Sequence, residues 1–182
     1  MISLGHSILM RTITAFILSL TLLHQAAHGS DDKWKEYKNA RFGFVLTYPP
    51  SLVGKPEPEN GGGREFHTPN GDFSVAASAR FLMVGEGDSL EKRWQDDLQS
   101  LGDTVTYKKK AATWYVISGV TKEGTEYYHK VYTKGSNWAG FEITYPHAKH
   151  KIYDPWVARI EKSFVPFLNG DFDRLESTPA PQ

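Results

Sequence analysis

Phe42, Phe44, Leu46 and Tyr48 alternate with Gly43, Val45 and Thr47, and this period of two predicts a strand with one apolar face. Pro49-Pro50 ends it, since proline has no amide hydrogen to give to a ladder. The preceding stretch, Asp31 to Ala40, is polar and reads as a lead-in; Leu52 to Gly63, with Pro56, Pro58 and Gly61-Gly62-Gly63, reads as loop. Arg64 to Thr68 and Phe73 to Leu82 then form a hairpin around Pro69-Asn70-Gly71-Asp72, because Asn-Gly accepts positive φ at little cost. The small residues Ala76, Ala77, Ser78 and Ala79 suggest that something packs close against the second of these strands.

The period then lengthens. Leu90, Trp94, Leu98 and Leu101 form one stripe opposite Lys92, Arg93, Asp96 and Asp97, which predicts an amphipathic helix. Asp88 and Glu91 read as its capping box and Gly102 as its C-terminal stop. Four strands follow, Val105 to Lys109, Thr113 to Val120, Thr125 to Thr133 and Ala139 to Tyr145, joined by turns short enough to require an antiparallel meander. A second helix is read from Asp154-Pro155 as N-cap and first helical residue, with Trp156, Ile160 and Phe164 on one face and Pro166 as its end. The expected fold class is therefore α+β: an antiparallel sheet of about six or seven strands with two helices packed on it through Trp94 and Trp156. Phe44, Leu46, Leu98, Val116, Phe141, Ile143, Ile160 and Phe164 are expected in the core.

The first residues change the picture of where this domain works. Arg11 precedes the uncharged run Thr12 to Leu23, and Ala27-His28-Gly29 closes with small residues at −3 and −1 of a cut. That is the pattern of a secretory signal peptide, and its apolar run is shorter than the ~20 residues a bilayer span needs. The reading is a signal peptide over 1–29, one domain over 30–168 and a disordered tail over 169–182, whose Pro-rich, charged residues lack a face to bury. The expected compartment is the periplasm, with no membrane span after cleavage.

Composition narrows the chemistry. Without Arg11 the chain carries 20 basic and 21 acidic side chains, so it has no field for capturing nucleic acid, and no nucleic-acid partner is expected. With no cysteine there is no thiol catalysis, no thiolate metal site and no lipid anchor. His147 and His150 share a helix face but stand among Lys149 and Lys151, without an obvious carboxylate, so they read as a solvated helix end; no metal and no cofactor are expected. Gly61-Gly62-Gly63 lacks the Lys-Ser or Lys-Thr and the strand-loop-helix frame of a phosphate cradle.

Two places offer candidate binding residues. Glu65 and His67 share one face of a short strand and Arg64 takes the other; a carboxylate beside an imidazole can orient it, but nothing nominates a nucleophile there. In Tyr127-Tyr128-His129-Lys130, alternation sets Tyr127 with His129 on one face and Tyr128 with Lys130 on the other. Arg64, His67, Tyr127, Tyr128, His129 and Lys130 are thus the binding candidates, and no catalytic residue is nominated.

Several strings also carry a resemblance: Tyr37-Lys38-Asn39-Ala40-Arg41-Phe42-Gly43-Phe44 with Tyr48-Pro49, Pro58-Glu59-Asn60-Gly61 with Gly63-Arg64-Glu65-Phe66, Tyr127-Tyr128, Tyr145-Pro146, and Tyr153-Asp154-Pro155 through Arg159-Ile160 to Ser163-Phe164. Together they resemble uncharacterised exported proteins of alphaproteobacteria and, more distantly, PsbP-like domains. The resemblance implies a bacterial periplasmic home and a two-layer or three-layer sandwich, and it implies no activity. The surfaces through which PsbP domains serve photosystem II are not matched in these residues, and that role is not carried over. The reading is a non-catalytic interaction or accessory module of the cell envelope, with an envelope protein as partner. The alternative is a periplasmic small-molecule or sugar-binding protein or, behind that, a hydrolase.

Overall fold

The computed structural model describes residues 33–168, apart from 84 and 86. The expected signal peptide and the expected disordered tail fall outside the described residues. The main body is one seven-stranded antiparallel sheet built from β3 (Val53–Gly54), β4 (Gly63–His67), β5 (Ser74–Phe81), β6 (Val105–Lys110), β7 (Trp114–Val120), β8 (Thr125–Lys134) and β9 (Asn137–Pro146). Its order is β3-β4-β5-β9-β8-β7-β6, so the local meander β6 to β9 is joined to the β3 to β5 hairpins through the pairing of β5 with β9. A separate two-stranded ribbon pairs β1 (Lys35–Lys38) with β2 (Val45–Tyr48).

Alternation along β8 places its neighbours in different cores. Tyr127 and Val131 join Trp94, Tyr115 and Ile117 beneath α1 (Leu90–Leu101). Tyr128 and Tyr132 pack instead with Phe141, Ile160 and Phe164, the core shared by α2 (His150–Ser163) and the β1–β2 ribbon. The two helices therefore lie on opposite faces of one sheet. The larger core is aromatic: Phe73 meets Tyr153 at 5.1 Å and Trp156 at 5.2 Å, and Phe141 meets Phe164 edge-on at 4.9 Å between ring centroids.

Several expectations need correction. The polar lead-in contains β1, a strand with only Tyr37 buried among its four residues, which is why alternation did not reveal it. The strand expected from Phe42 begins at Val45; Phe42 and Phe44 are buried nonetheless, carried by a turn that Asn39 organises. Asn39 is 2% exposed; its amide donates to Tyr37 Oη and to the Gly61 carbonyl, each at 3.0 Å, and its Oδ1 accepts from the Phe42 amide at 2.7 Å. Helix α1 is capped by Ser89, whose Oγ accepts from the Lys92 amide at 3.1 Å, rather than by Asp88. Leu98 is only half-buried, because Trp94 occupies the centre of that interface.

Helix α2 begins at His150 after a 3-10 turn, so Pro155 lies within it rather than at its start. Proline removes the hydrogen bond to the Lys151 carbonyl there, but both residues are exposed and water can take that acceptor. The buried face of α2 is accordingly Tyr153, Val157 and Ile160, with Trp156 half-buried at its margin. Among the described residues, no helix is long and apolar enough to cross a membrane.

Candidate functional site

Helix α1 spans only part of its sheet face. It covers β7 and β8, while the outward residues of β4 and β5 include the small Gly63, Ala76 and Ser78. Their opposite-facing neighbours Ala77 and Ala79 are buried in the larger core, so the run of small residues does two jobs. On one face it admits a packed layer, and on the other it leaves a concavity of about 650 Å³.

Each wall of that concavity has a separate origin. One side is the loop that follows β3, contributing Lys55, Pro56, Pro58 and Asn60. The β1–β2 turn holds this loop, through Asn39 to the Gly61 carbonyl and through Arg41, which donates to the Asn60 carbonyl. The other side is Arg93 of α1 together with Arg80 of β5 and Trp138 of β9. Arg80 and Trp138 are directly opposite in the β5–β9 ladder. Both guanidinium groups lie over the Trp138 ring, Arg80 at 5.3 Å and Arg93 at 4.7 Å from its centroid.

The charges are only partly matched. Arg93 pairs with Asp88 at 2.6 Å, and Lys55 with Glu65 at 2.7 Å. Burial works to raise the Asp88 pKa, but hydrogen bonds from Arg93 and the Met83 amide, with the charges of Arg93 and Arg80, hold it below its ordinary value. Arg80 is exposed and has no ion pair among the described residues. The Nε of Arg93 and the Nε1 of Trp138 are buried donors without a hydrogen-bond partner among the described residues.

The candidates read from sequence are divided among different places. Arg64 borders the concavity, but its Nε donates to the Lys55 carbonyl at 2.8 Å and its guanidinium lies over Phe66. His67 lies further along β4, its Nδ1 2.9 Å from the Thr68 carbonyl oxygen. Tyr127 is buried under α1 with its hydroxyl 3.0 Å from Thr104 Oγ1. On the other face Lys130 is 9% exposed and donates to Glu161 at 2.5 Å. Burial alone would lower the Lys130 pKa, but Glu161 and Tyr132 more than offset it and raise the value. Burial, with Glu161 nearby, pushes the Tyr128 hydroxyl well up.

His129 has partners that the sequence reading did not find. Its Nδ1 lies 3.2 Å from Asp97 Oδ2, the same oxygen that accepts from Tyr115 Oη at 2.5 Å. Burial acts to raise the Asp97 pKa, yet hydrogen bonds from His129 and Tyr115 keep it below its usual value. A carboxylate-held imidazole can serve a nucleophile, but among the described residues no Ser or Thr hydroxyl bonds to His129. The trio instead ties α1 to β7 and β8. A group with a depressed folded pKa stabilises above its unfolded value, near pH 4, and loses that contribution as pH falls through the folded value. Asp97→Asn should therefore cost roughly 1–2 kcal/mol at neutral pH and progressively less in acid. Urea melts over a pH series check it; a constant difference down to pH 2 would show that the carboxylate charge is not the cause.

The sequence shows no obvious carboxylate beside His147 and His150, but the fold supplies one to each. Glu126 reaches His147 Nδ1 at 2.8 Å and Asp154 lies 3.2 Å from His150 Nδ1, with the two rings stacked at 5.4 Å. Among the described residues no group of three or more His, Asp or Glu side chains is placed to hold a metal ion.

The residues that sequence reasoning missed are Arg80, Arg93 and Trp138. They come from two strands and a helix far apart in the chain. One usable signal was the outward parity of Ala76, Ser78 and Arg80 on a single strand: two side chains too small to cover a sheet, then a cation.

No family model and no curated protein matches the chain. Solved structures do resemble it. A crystal structure from Bacteroides thetaiotaomicron is 14% identical over 70% of this chain and 46% of that one, with a TM-score of 0.45. The solution structure of cyanobacterial PsbP (CyanoP) from Synechocystis sp. PCC 6803 is 10% identical over 80% of this chain and 99% of that one, with a TM-score of 0.57. At this identity the likeness is one of fold: the chain carries a PsbP-like α+β sandwich, a seven-stranded antiparallel sheet with two helices.

Proposed function

We propose that this protein is an exported, non-catalytic binding module of the bacterial cell envelope that takes its ligand in the concavity beside α1. The observation that carries the reading is that cavity: about 650 Å³, floored by small residues and walled by polar and charged side chains from separate elements. Ligand sites are concave, a few hundred to a thousand Å³, with a few polar groups converging on them. The stretch Tyr127 to Lys130 supports the reading less well, since its side chains are engaged with α1 or Glu161. Export and a periplasmic home rest on the N-terminal pattern of Arg11, Thr12 to Leu23 and Ala27-His28-Gly29.

A ligand that binds only the folded state raises its melting temperature, so a thermal-shift screen against sugars, metabolites and a periplasmic extract tests the idea. Ser78 is exposed on the cavity floor, and Ser78→Trp fills the space without touching the core. Wild-type protein should gain several degrees with a cognate compound, and Ser78→Trp should lose most of that gain while melting normally alone. Ala76→Leu is the second filling variant should the first fold poorly. Compounds that stabilise wild type and both filled variants equally would place binding elsewhere and sink the proposal.

A further inference from the structure

We infer that the ligand of this cavity carries a carboxylate or phosphate group that seats on Arg80 and Arg93 beside Trp138. This rests on the cavity reading above and adds the class of ligand to it. Four cations line the space, Lys55, Arg64, Arg80 and Arg93, against one carboxylate, Glu65, while Asp88 pairs with Arg93 from outside the lining. Glu65 is matched to Lys55 and Asp88 to Arg93, which leaves Arg64 and Arg80 without an ion pair among the described residues, and of these Arg64 already lies against the Lys55 carbonyl and Phe66. Exposed arginine gains most from an oxyanion, because its planar fork of donors can meet two oxygens of a carboxylate or phosphate at once.

The indole between the two guanidinium groups fixes where they stand. Trp138 faces Arg80 across the ladder and carries Arg93 on its ring, so both side chains are held against one rigid surface. That arrangement reduces the freedom an arginine must lose on binding. Two buried donors in this cluster, Arg93 Nε and Trp138 Nε1, have no acceptor among the described residues. Buried polar atoms in folded proteins are nearly always hydrogen-bonded, so a small shift of either side chain that brings a ligand oxygen within reach is favoured. The small residues Ala76 and Ser78 beside it leave room for the body of an organic molecule. A small anionic metabolite fits these features.

The test uses the mature chain, labelled with ¹⁵N, at constant ionic strength set with chloride. Citrate, inorganic phosphate and the neutral sugar glucose are titrated in separate arms, and the Trp138 indole and Arg93 Nε resonances are followed, assigned with Trp138→Phe and Arg93→Lys. Citrate, phosphate or both should shift these resonances saturably, glucose should not, and Arg80→Gln should weaken the anion about tenfold while leaving the melting temperature within a degree or two. Comparison of the two anion arms tells a carboxylate site from a phosphate site. Absence of any saturable shift with both anions up to about 10 mM, or an Arg80→Gln titration that overlays the wild type, overturns the inference. Should glucose or a neutral screening hit saturate the same resonances and be blocked by Ser78→Trp, the cavity reading stands and the anion assignment fails. Should Ser78→Trp leave every stabilising compound unaffected, the cavity reading fails with it.

Discussion

Phe164→Ala is expected to destabilise the protein by roughly 3–5 kcal/mol, the largest effect of any single truncation proposed for this chain. Phe164 follows the last turn of α2 and is 6% exposed. Its ring meets Phe141 at 4.9 Å, Tyr132 at 5.9 Å and Phe44 at 6.0 Å, so it joins the helix, the sheet and the β1–β2 ribbon at one point. Removing the ring loses the transfer free energy of its carbons and leaves a cavity that three separate elements cannot collapse into together. The next residue, Val165, also exchanges backbone hydrogen bonds with Val45, which holds the site open rather than letting it relax. Urea melts of both proteins measure the change, with the midpoint moving and the slope unchanged. Overlapping curves would mean that the ring is not part of the core.

Gly119→Ala should be the second most damaging substitution, at about 3 kcal/mol, although it adds only a methyl group. Gly119 is on β7 where the 3-10 turn Gly102–Thr104 crosses it. A Cβ there would sit 2.0 Å from the Thr104 carbonyl oxygen and 2.6 Å from Tyr127 Oη. The first neighbour is backbone and cannot swing aside, so the turn must lift and carry the start of β6 with it. The Tyr127 to Thr104 hydroxyl contact is lost in the same movement, which adds about 1 kcal/mol. Ser118→Ala, one residue away and half-buried, is the control, and its effect should stay within about 0.5 kcal/mol. Equal melting of the two variants would show that the turn is free to move.

The sheet was most legible where a strand buries alternate side chains, as β5 does. Val75, Ala77 and Ala79 point inward with Ser74, Ala76 and Ser78 between them, and a period of two follows directly. β1 was not legible, since a ribbon pinned by one tyrosine and by the asparagine after it leaves no period to read. Asp154-Pro155 misplaced the start of α2 because that pair is locally a good helix start. The chain instead begins the helix one turn earlier, without a side-chain cap, on packing from Tyr153. The concavity was the least legible feature. Its shape comes from what α1 fails to cover, and the length of one helix against the width of a sheet is not encoded in any short motif.

The order of the strands also decides how the two ends of the sheet meet other chains. An unpaired edge is a template on which a second molecule can extend the ladder, the first step toward fibrous aggregation. β3, at one end, offers only two residues before the proline-containing segment that follows it. β6, at the other end, is long enough to recruit a neighbour, but Lys108, Lys109 and Lys110 are all exposed along it. Two copies aligned on that edge would bring their lysine runs together, with Lys108 and Lys109 of each copy without an ion pair among the described residues while Lys110 pairs with Glu91, and the repulsion would grow as salt is lowered. A run too short to attract a polyanion is therefore well suited to keeping identical sheets apart.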